Sequence, residues 1–208
     1  MSANATSVLL VEDHAALRRG LEMLLRSRGF GVTGAAGSVD GAYRLFTARR
    51  PDVAVVDVTL QDGSGVDLAD RMLAVRPSAG VLLYTGLSDR ASIEGAARSG
   101  ARGLVLKTAG AETLATAIHA VAAGGVYVDP TVAALLAPSS ARSQLLTERQ
   151  RQIFDLLSQG LTGEQAAGRL FLSPETVRTH IRNGMRTLGA RTRVHAVALA
   201  IRHREIGA

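Results

Sequence analysis

Cysteine is absent from the 208-residue sequence. That excludes a disulfide framework, a thiolate zinc site and a cysteine nucleophile together. No stretch approaches the ~20 uninterrupted apolar residues of a membrane span, and Met1–Ser7 has neither the basic start nor the apolar run of a secretory leader. The expectation is a cytosolic (cytoplasmic) chain with no membrane partner. The common phosphate-cradling loops of nucleotide enzymes are also missing. No G-x-G-x-x-G follows the first apolar run, and Leu106 stands before Lys107 where a G-x-x-x-x-G-K-[ST] loop requires glycine. Internal repeats and low-complexity tracts are lacking too.

What is present is a hydrophobic fraction of 47% and a mean hydropathy of +0.16, enough for one sizeable core or two modest ones, and at this length two domains are favoured. The net charge of +6 is unevenly placed. Residues 1–130 hold 13 basic and 13 acidic side chains, whereas 131–208 hold 11 and 5. The C-terminal third therefore carries the whole excess, which suggests a polyanion partner for that part alone or, more blandly, a solvated basic surface.

Short apolar runs at Val8–Val11, Val53–Val56, Val81–Tyr84 and Leu104–Leu106, with a weaker one near Val32, read as strands buried on both faces. Helical spacing lies between them, at Leu17, Leu21, Leu24 and Leu25 and again at Leu114, Ala117, Ile118 and Val121. Such alternation predicts parallel strands joined by helical crossovers, an open doubly wound α/β domain. We place this domain at 1–128 and a linker at 129–144, around the small, proline-interrupted run 137–143. An all-α domain of four helices follows at 145–208. Thr147 and Gln150 form a capping box ahead of its first helix, a second helix spans 163–170, and a third opens at Ser173-Pro174-Glu175 with an N-cap, a first-turn proline and an acid. Val194, Val197, Ala198 and Ile201 mark the fourth.

In open α/β sheets, ligands bind beyond the carboxyl ends of the strands. The first run ends in Glu12-Asp13, the third in Asp57, the fourth in Thr85 and the fifth at Lys107. Singly, each reads as a cap or a solvated charge; four strand ends together point to a site. Three carboxylates at close quarters call for a cation, and all-oxygen ligation by Glu12, Asp13 and Asp57 suits Mg²⁺. Beside it Asp57 could act as a nucleophile towards phosphorus, with Lys107 and Thr85 holding phosphoryl oxygens. His14 reads as a helix cap or surface residue.

These residues, Val8-Leu-Leu-Val-Glu-Asp-His14, Asp57, Thr85-Gly86 and Gly103-Leu-Val-Leu-Lys107, resemble the receiver domain of two-component response regulators over about residues 7–124. The resemblance implies a five-stranded sheet of flavodoxin-like order with five helices, phosphotransfer from a sensor histidine kinase to Asp57, and Thr85 as the switch residue. Two departures are visible: Leu104 stands where receivers often carry an aromatic residue, and 58–62 lacks their common proline. An aspartyl-nucleophile phosphatase is the enzyme alternative, but such enzymes usually need a second aspartate two residues on, where Thr59 stands. A receiver that serves only as a protein-docking module is the other alternative.

On the third C-terminal helix Val177, Ile181 and Leu188 form an apolar stripe while Arg178, Arg182 and Arg186 recur every four residues on another, with Thr179 adjacent. Guanidinium groups in that array can pair with guanine edges or clamp phosphates in a major groove of double-stranded DNA. The runs Leu146-Thr-Glu-Arg-Gln150, Gly160-Leu-Thr162 and Ser173 to Ile181 through Arg193 are similar to the LuxR-type helix-turn-helix, and the two halves together resemble the NarL/FixJ subfamily. Gln150 stands where that family usually has glutamate. By motif position the resemblance puts Arg178, Thr179 and Arg182 at base edges, Asn183 and Arg186 near the backbone, and the last helix in a homodimer formed on phosphorylation or DNA binding. The implied output is control of transcription.

Overall fold

A computed structural model describes residues 5–86, 90–135 and 145–207, with side chains of 90–92 excepted. In chain order the elements are β1 (Ser7–Val11), α1 (Ala15–Ser27), β2 (Gly31–Ala36), α2 (Val39–Arg49), β3 (Val53–Asp57), β4 (Thr59–Leu60), β5 (Gly63–Ser64), α3 (Gly65–Val75), β6 (Gly80–Thr85), α4 (Arg90–Arg98), β7 (Gly103–Leu106), α5 (Ala111–Ala122), β8 (Tyr127–Val128) and α6 (Pro130–Leu135). Four helices complete the chain: α7 (Glu148–Ser158), α8 (Gly163–Leu170), α9 (Pro174–Thr187) and α10 (Arg193–Arg202). No helix among the described residues is long and apolar enough to cross a membrane.

The main sheet is parallel throughout, ordered β2-β1-β3-β6-β7-β8. Its first five strands have the expected flavodoxin-like order, but the sheet has six strands, not five. β8 is added because the chain turns back at Gly124, where φ is +82°, and lays Tyr127 and Asp129 amides on the carbonyls of Arg102 and Leu104. The otherwise bare edge of β7 is thereby covered. Two residues are too few to show a period of two, so periodicity could not reveal this strand.

Alternation along each strand divides the apolar side chains between two layers. Val8, Leu10, Val55, Leu82 and Val105 face α1 and α5, where Leu21, Leu25, Ile118 and Val121 meet them. Leu9, Val11, Val56, Leu83 and Leu104 face Phe46, Leu68, Met72 and Ile93. The second layer does not stop at the edge of the sheet. It runs on through Val128, Val132 and Ala133 to Phe154, Leu157, Val194 and Val197 of the C-terminal helices.

Local chemistry sets the C-terminal helices. Thr147 and Gln150, and likewise Thr162 and Gln165, make reciprocal capping boxes, and Ser173 caps α9 with Pro174 in its first turn. Gly184 lets α7 and α9 approach closely, since a Cβ there would stand 2.3 Å from Phe154 Cε2. Glu205 closes the unit, accepting from the Leu145 and Leu146 amides and from Arg151.

α10 is buried beyond what one helical stripe requires: Val194, Ala196, Val197, Ala198, Leu199 and Ala200 are all inside. It lies between α7 and α9 on one side and α4, α6 and β8 on the other. Thr192 Oγ1 donates to the Ala97 carbonyl at 2.9 Å, and Arg202 lies 3.6 Å from Glu94. Of the expected linker, 129–135 is packed structure: Asp129 caps α6 through the Thr131 amide at 2.8 Å, and Val132 and Ala133 are buried. Residues 136–144 lie outside the described residues.

The halves meet backbone to backbone where Gly125 faces Gly160. A Cβ on Gly125 would stand 2.3 Å from the Gly160 carbonyl oxygen, which only a shift of one half can relieve. Gly125→Ala is expected to loosen the docking of α7 and α10, seen as faster hydrogen exchange of α10 amides with α1 amides unchanged.

Candidate functional site

The carboxyl ends of β1, β3, β6 and β7 bring Glu12, Asp13, Asp57, Thr85 and Lys107 to one edge. β1 is flanked by β2 on one side and β3 on the other, so the strand order reverses there and leaves a crevice. Lys107 Nζ lies in it, 2.6 Å from Glu12 Oε2 and 2.7 Å from Asp57 Oδ2. Backbone groups hold two further carboxylate oxygens. Thr59 N–H donates to Asp57 Oδ1 at 3.2 Å, and Gln61 N–H donates to Asp13 Oδ2 at 2.9 Å. The loop that supplies these amides is drawn tight by the β4–β5 hairpin and by Gly65, whose Cβ would fall 1.8 Å from the Asp57 carbonyl oxygen. Any side chain at 65 would displace the backbone that carries Asp57.

Thr85 is fully buried, and its carbonyl accepts the Lys107 amide at 2.7 Å, fixing the switch candidate and the ammonium to each other through the backbone. Tyr84 Oη donates to the Lys107 carbonyl at 3.3 Å. Arg18 donates to the Glu12 and Asp13 carbonyls at 2.6 and 3.2 Å. Periodicity gave no sign of Arg18 or of the two amides, because a backbone N–H has no sequence signature and Arg18 is one of several arginines on α1.

Charge in the crevice is finely balanced. Burial pushes the Asp57 carboxyl above its usual range, and neighbouring Glu12 adds to this against the opposing pull of Lys107 and the Thr59 amide. Lys107 is held above its ordinary value: burial pulls it down, but the two carboxylates outweigh that. For Asp13, burial raises the carboxyl, yet the Gln61 amide and His14 bring it below its usual range.

Glu12, Asp13 and His14 offer ligand atoms within 4.8 Å of one another. Asp13 Oδ1 is buried and accepts no hydrogen bond, although His14 Nδ1 is 2.9 Å away. His14 occupies the N-cap of α1 but makes no side-chain cap bond; its ring turns to the acids instead. An orphaned carboxylate oxygen in an oxygen-donor set fits a hard divalent cation such as Mg²⁺. Asp57 lies outside that 4.8 Å group, with Lys107 bridging it to Glu12.

On α9 and at its C-cap, Val177, Ile181, Gly184 and Leu188 are buried, while Arg178, Thr179, Arg182 and Arg186 are exposed and Asn183 is half-buried. Arg186 donates to Asn183 Oδ1 at 3.2 Å, and Arg178 is paired with Glu175 at 2.7 Å. The arginine stripe is therefore one solvent-facing surface, except that Arg178, at its N-terminal end, faces the first domain across a cleft that also contains Arg102 and Gly124.

Comparison with known proteins matches residues 8–119 to the response regulator receiver domain and residues 144–200 to bacterial regulatory proteins of the luxR family. The chain is 37% identical over 201 residues, 93% of each sequence, to the DNA-binding transcriptional activator DevR/DosR of Mycobacterium tuberculosis. It is 34% identical to the transcriptional regulatory protein UhpA of Escherichia coli K12, covering 88% of this chain and 91% of that one. Among solved structures, the response regulator ChrA of a heme-sensing two-component system aligns with a TM-score of 0.56 at 31% identity, over 97% of this chain and 99% of that one.

Removing the central ammonium tests the electrostatic reading. Lys107→Ala leaves two buried carboxylates without a counter-charge and is expected to cost on the order of 3 kcal/mol at neutral pH in urea unfolding. Without Lys107, Asp57 rises further above the unfolded value of about 3.8, so the folded state takes up a proton that the unfolded state does not. The deficit should therefore shrink as pH falls from neutral towards 4.

Proposed function

The chain belongs to the two-component response regulators that join a receiver to a LuxR-type DNA-binding domain, a family of transcription regulators, and on that premise we propose that Asp57 accepts the phosphoryl group that controls its binding to DNA. The observation that carries the reading is the setting of Asp57: a buried strand-end carboxylate with one oxygen on the Lys107 ammonium at 2.7 Å and the other on the Thr59 amide at 3.2 Å.

The donor is a phosphohistidine of a sensor kinase. An Asp57 oxygen bonds to phosphorus as the phosphorus–nitrogen bond breaks, and the histidine nitrogen leaves with the electron pair. Mg²⁺ held by Glu12, Asp13 and Asp57 would supply charge screening for the approach of two anions. Lys107 is already within reach of Asp57, and moving its ammonium onto a phosphoryl oxygen gives up the contact with Asp57 Oδ2. The Thr85 hydroxyl donates to another phosphoryl oxygen, a bond that exists only in the phosphorylated state.

Drawing Thr85 inward pulls on the chain that leads into α4, and α4 is where α10 is docked, through Thr192 on the Ala97 carbonyl and Arg202 beside Glu94. Loosening that contact frees α10, whose apolar surface exceeds what its own domain covers, so a second copy of α10 becomes its natural cover. A homodimer then presents two α9 helices to adjacent half-sites. Leu104 is fully buried in the shared core and supplies no aromatic side chain at that position, which leaves α4 as the route in this reading.

Two measurements test this. Intact mass after incubation with a small phosphoryl donor and Mg²⁺ should show one adduct, absent without the metal and absent in Asp57→Asn, and the adduct should tighten operator binding. An unmodified chain under every donor would favour a receiver that acts only as a docking surface. Arg182→Ala should weaken a specific site by about 1–3 kcal/mol if it pairs with guanine, whereas an equal loss on all sequences with a shallower salt slope would make Arg182 a phosphate contact.

A further inference from the structure

Between the two halves lies a cleft of about 310 Å³. Its receiver wall is Arg102 with Gly124, and its opposite wall is the start of α8 at Gly163 and Glu164, together with Arg178 of α9 and Arg193 of α10. A cationic DNA-reading surface docked against its own receiver would ordinarily meet acidic groups. Here it meets a further arginine. Three guanidinium groups, from the turn before β7, from α9 and from α10, line the space against the single carboxylate of Glu164, and Arg178 has Glu175 beside it at 2.7 Å.

Arg102 and Arg193 have no ion-pair partner among the described residues. Among the described residues the one hydrogen bond of the Arg102 guanidinium is a long one, 3.5 Å to the Pro77 carbonyl. Burial, and after it the neighbouring charge of Arg193, hold its guanidinium below the ordinary value. The N-terminal end of α8 also lines this space, at Thr162, Gly163 and Glu164, and its dipole favours negative charge as well. The volume is at the small end for ligand pockets, which suits a compact, multiply charged group, and guanidinium forks match phosphate oxygens in pairs.

We propose that this cleft binds a diphosphate group, inorganic or carried by a nucleotide, which bridges Arg102 to Arg193 and Arg178 and holds the two halves in the docked arrangement. Because Arg178 is then engaged, the same anion lowers affinity for DNA, and by linkage DNA lowers affinity for the anion. This regulatory consequence rests on α9 being the DNA-reading helix; the binding itself does not.

Isothermal titration of the full chain at fixed ionic strength and without DNA provides the test, with pyrophosphate and ADP as separate probes. One saturable site per chain is expected. Stronger binding of ADP would assign a nucleotide source, and equal binding would assign the diphosphate alone. Arg102→Ala lies outside both the Asp57 pocket and the exposed face of α9, and it should weaken binding at least tenfold with the fold intact by circular dichroism. Arg102→Glu should abolish binding yet keep α10 protected from hydrogen exchange, since the carboxylate takes the place of the anion. On an operator fragment at matched ionic strength, pyrophosphate should inhibit wild type more than Arg102→Ala. Binding that survives Arg102→Ala unchanged would place the anion on the DNA-facing arginines alone and overturn the proposal, as would the absence of saturable binding by either probe. A chain that bound pyrophosphate in an Arg102-dependent way but bound no DNA would support the site and remove only its regulatory consequence.

Discussion

A single ammonium group held between two buried carboxylates governs the N-terminal half. Lys107 reaches Glu12 and Asp57 at 2.6 and 2.7 Å, and the rest of the pocket is arranged around the repulsion that it only partly relieves. Backbone amides of the tight β4–β5 loop take up further oxygens, His14 turns its ring to Asp13, and one oxygen of Asp13 is left without a hydrogen bond. A site balanced in this way is poised: the addition of a cation or a phosphoryl group changes which contacts are favourable, and Lys107 shares its backbone tie with Thr85. Local charge and the position of a strand end are thereby one variable.

The other organising element is α10. A helix with apolar residues on nearly every side must be covered on every side, and this one is shared between its own domain and α4, α6 and β8 of the receiver. The sheet's second apolar layer continues without a break into the C-terminal helices. Two small domains that would each have a modest core thus have one layer in common, and in the proposed mechanism a signal acts by opening that layer.

Much of this was legible in the sequence. Strands β1, β3, β6 and β7 lie where continuous apolar runs place them, Lys107 at the end of one meets Glu12 and Asp57 at the ends of two others, and both the capping box at Thr147 and the proline start of α9 are formed. These features depend on local periodicity and capping, which short stretches of chain encode directly. β8 and α6 were not legible, being two and six residues long and stabilised by the edge and the core they cover. Nor was the docking of α10. The pattern Val194, Val197, Ala198, Ile201 marks one face, while Ala196 and Ala200, small enough to suit either environment, gave no sign of a second. Arg102 reads as an ordinary surface arginine until the two halves are seen together, because its setting is created by residues 60–90 positions away.

The shared layer also bears on how the protein melts. When two domains have separate cores, heat or urea can undo one and leave the other; when they have a core in common, exposing it in one half strips cover from the other, and the two unfold as one cooperative unit. A cavity introduced at Phe154 or Val197, deep in the DNA-binding half, would then be felt at the Asp57 crevice as lost stability. Opening α10 would divide that unit into two independently melting parts, so under the proposed mechanism the signalling state of the chain is written in the number of its unfolding transitions as well as in its contacts.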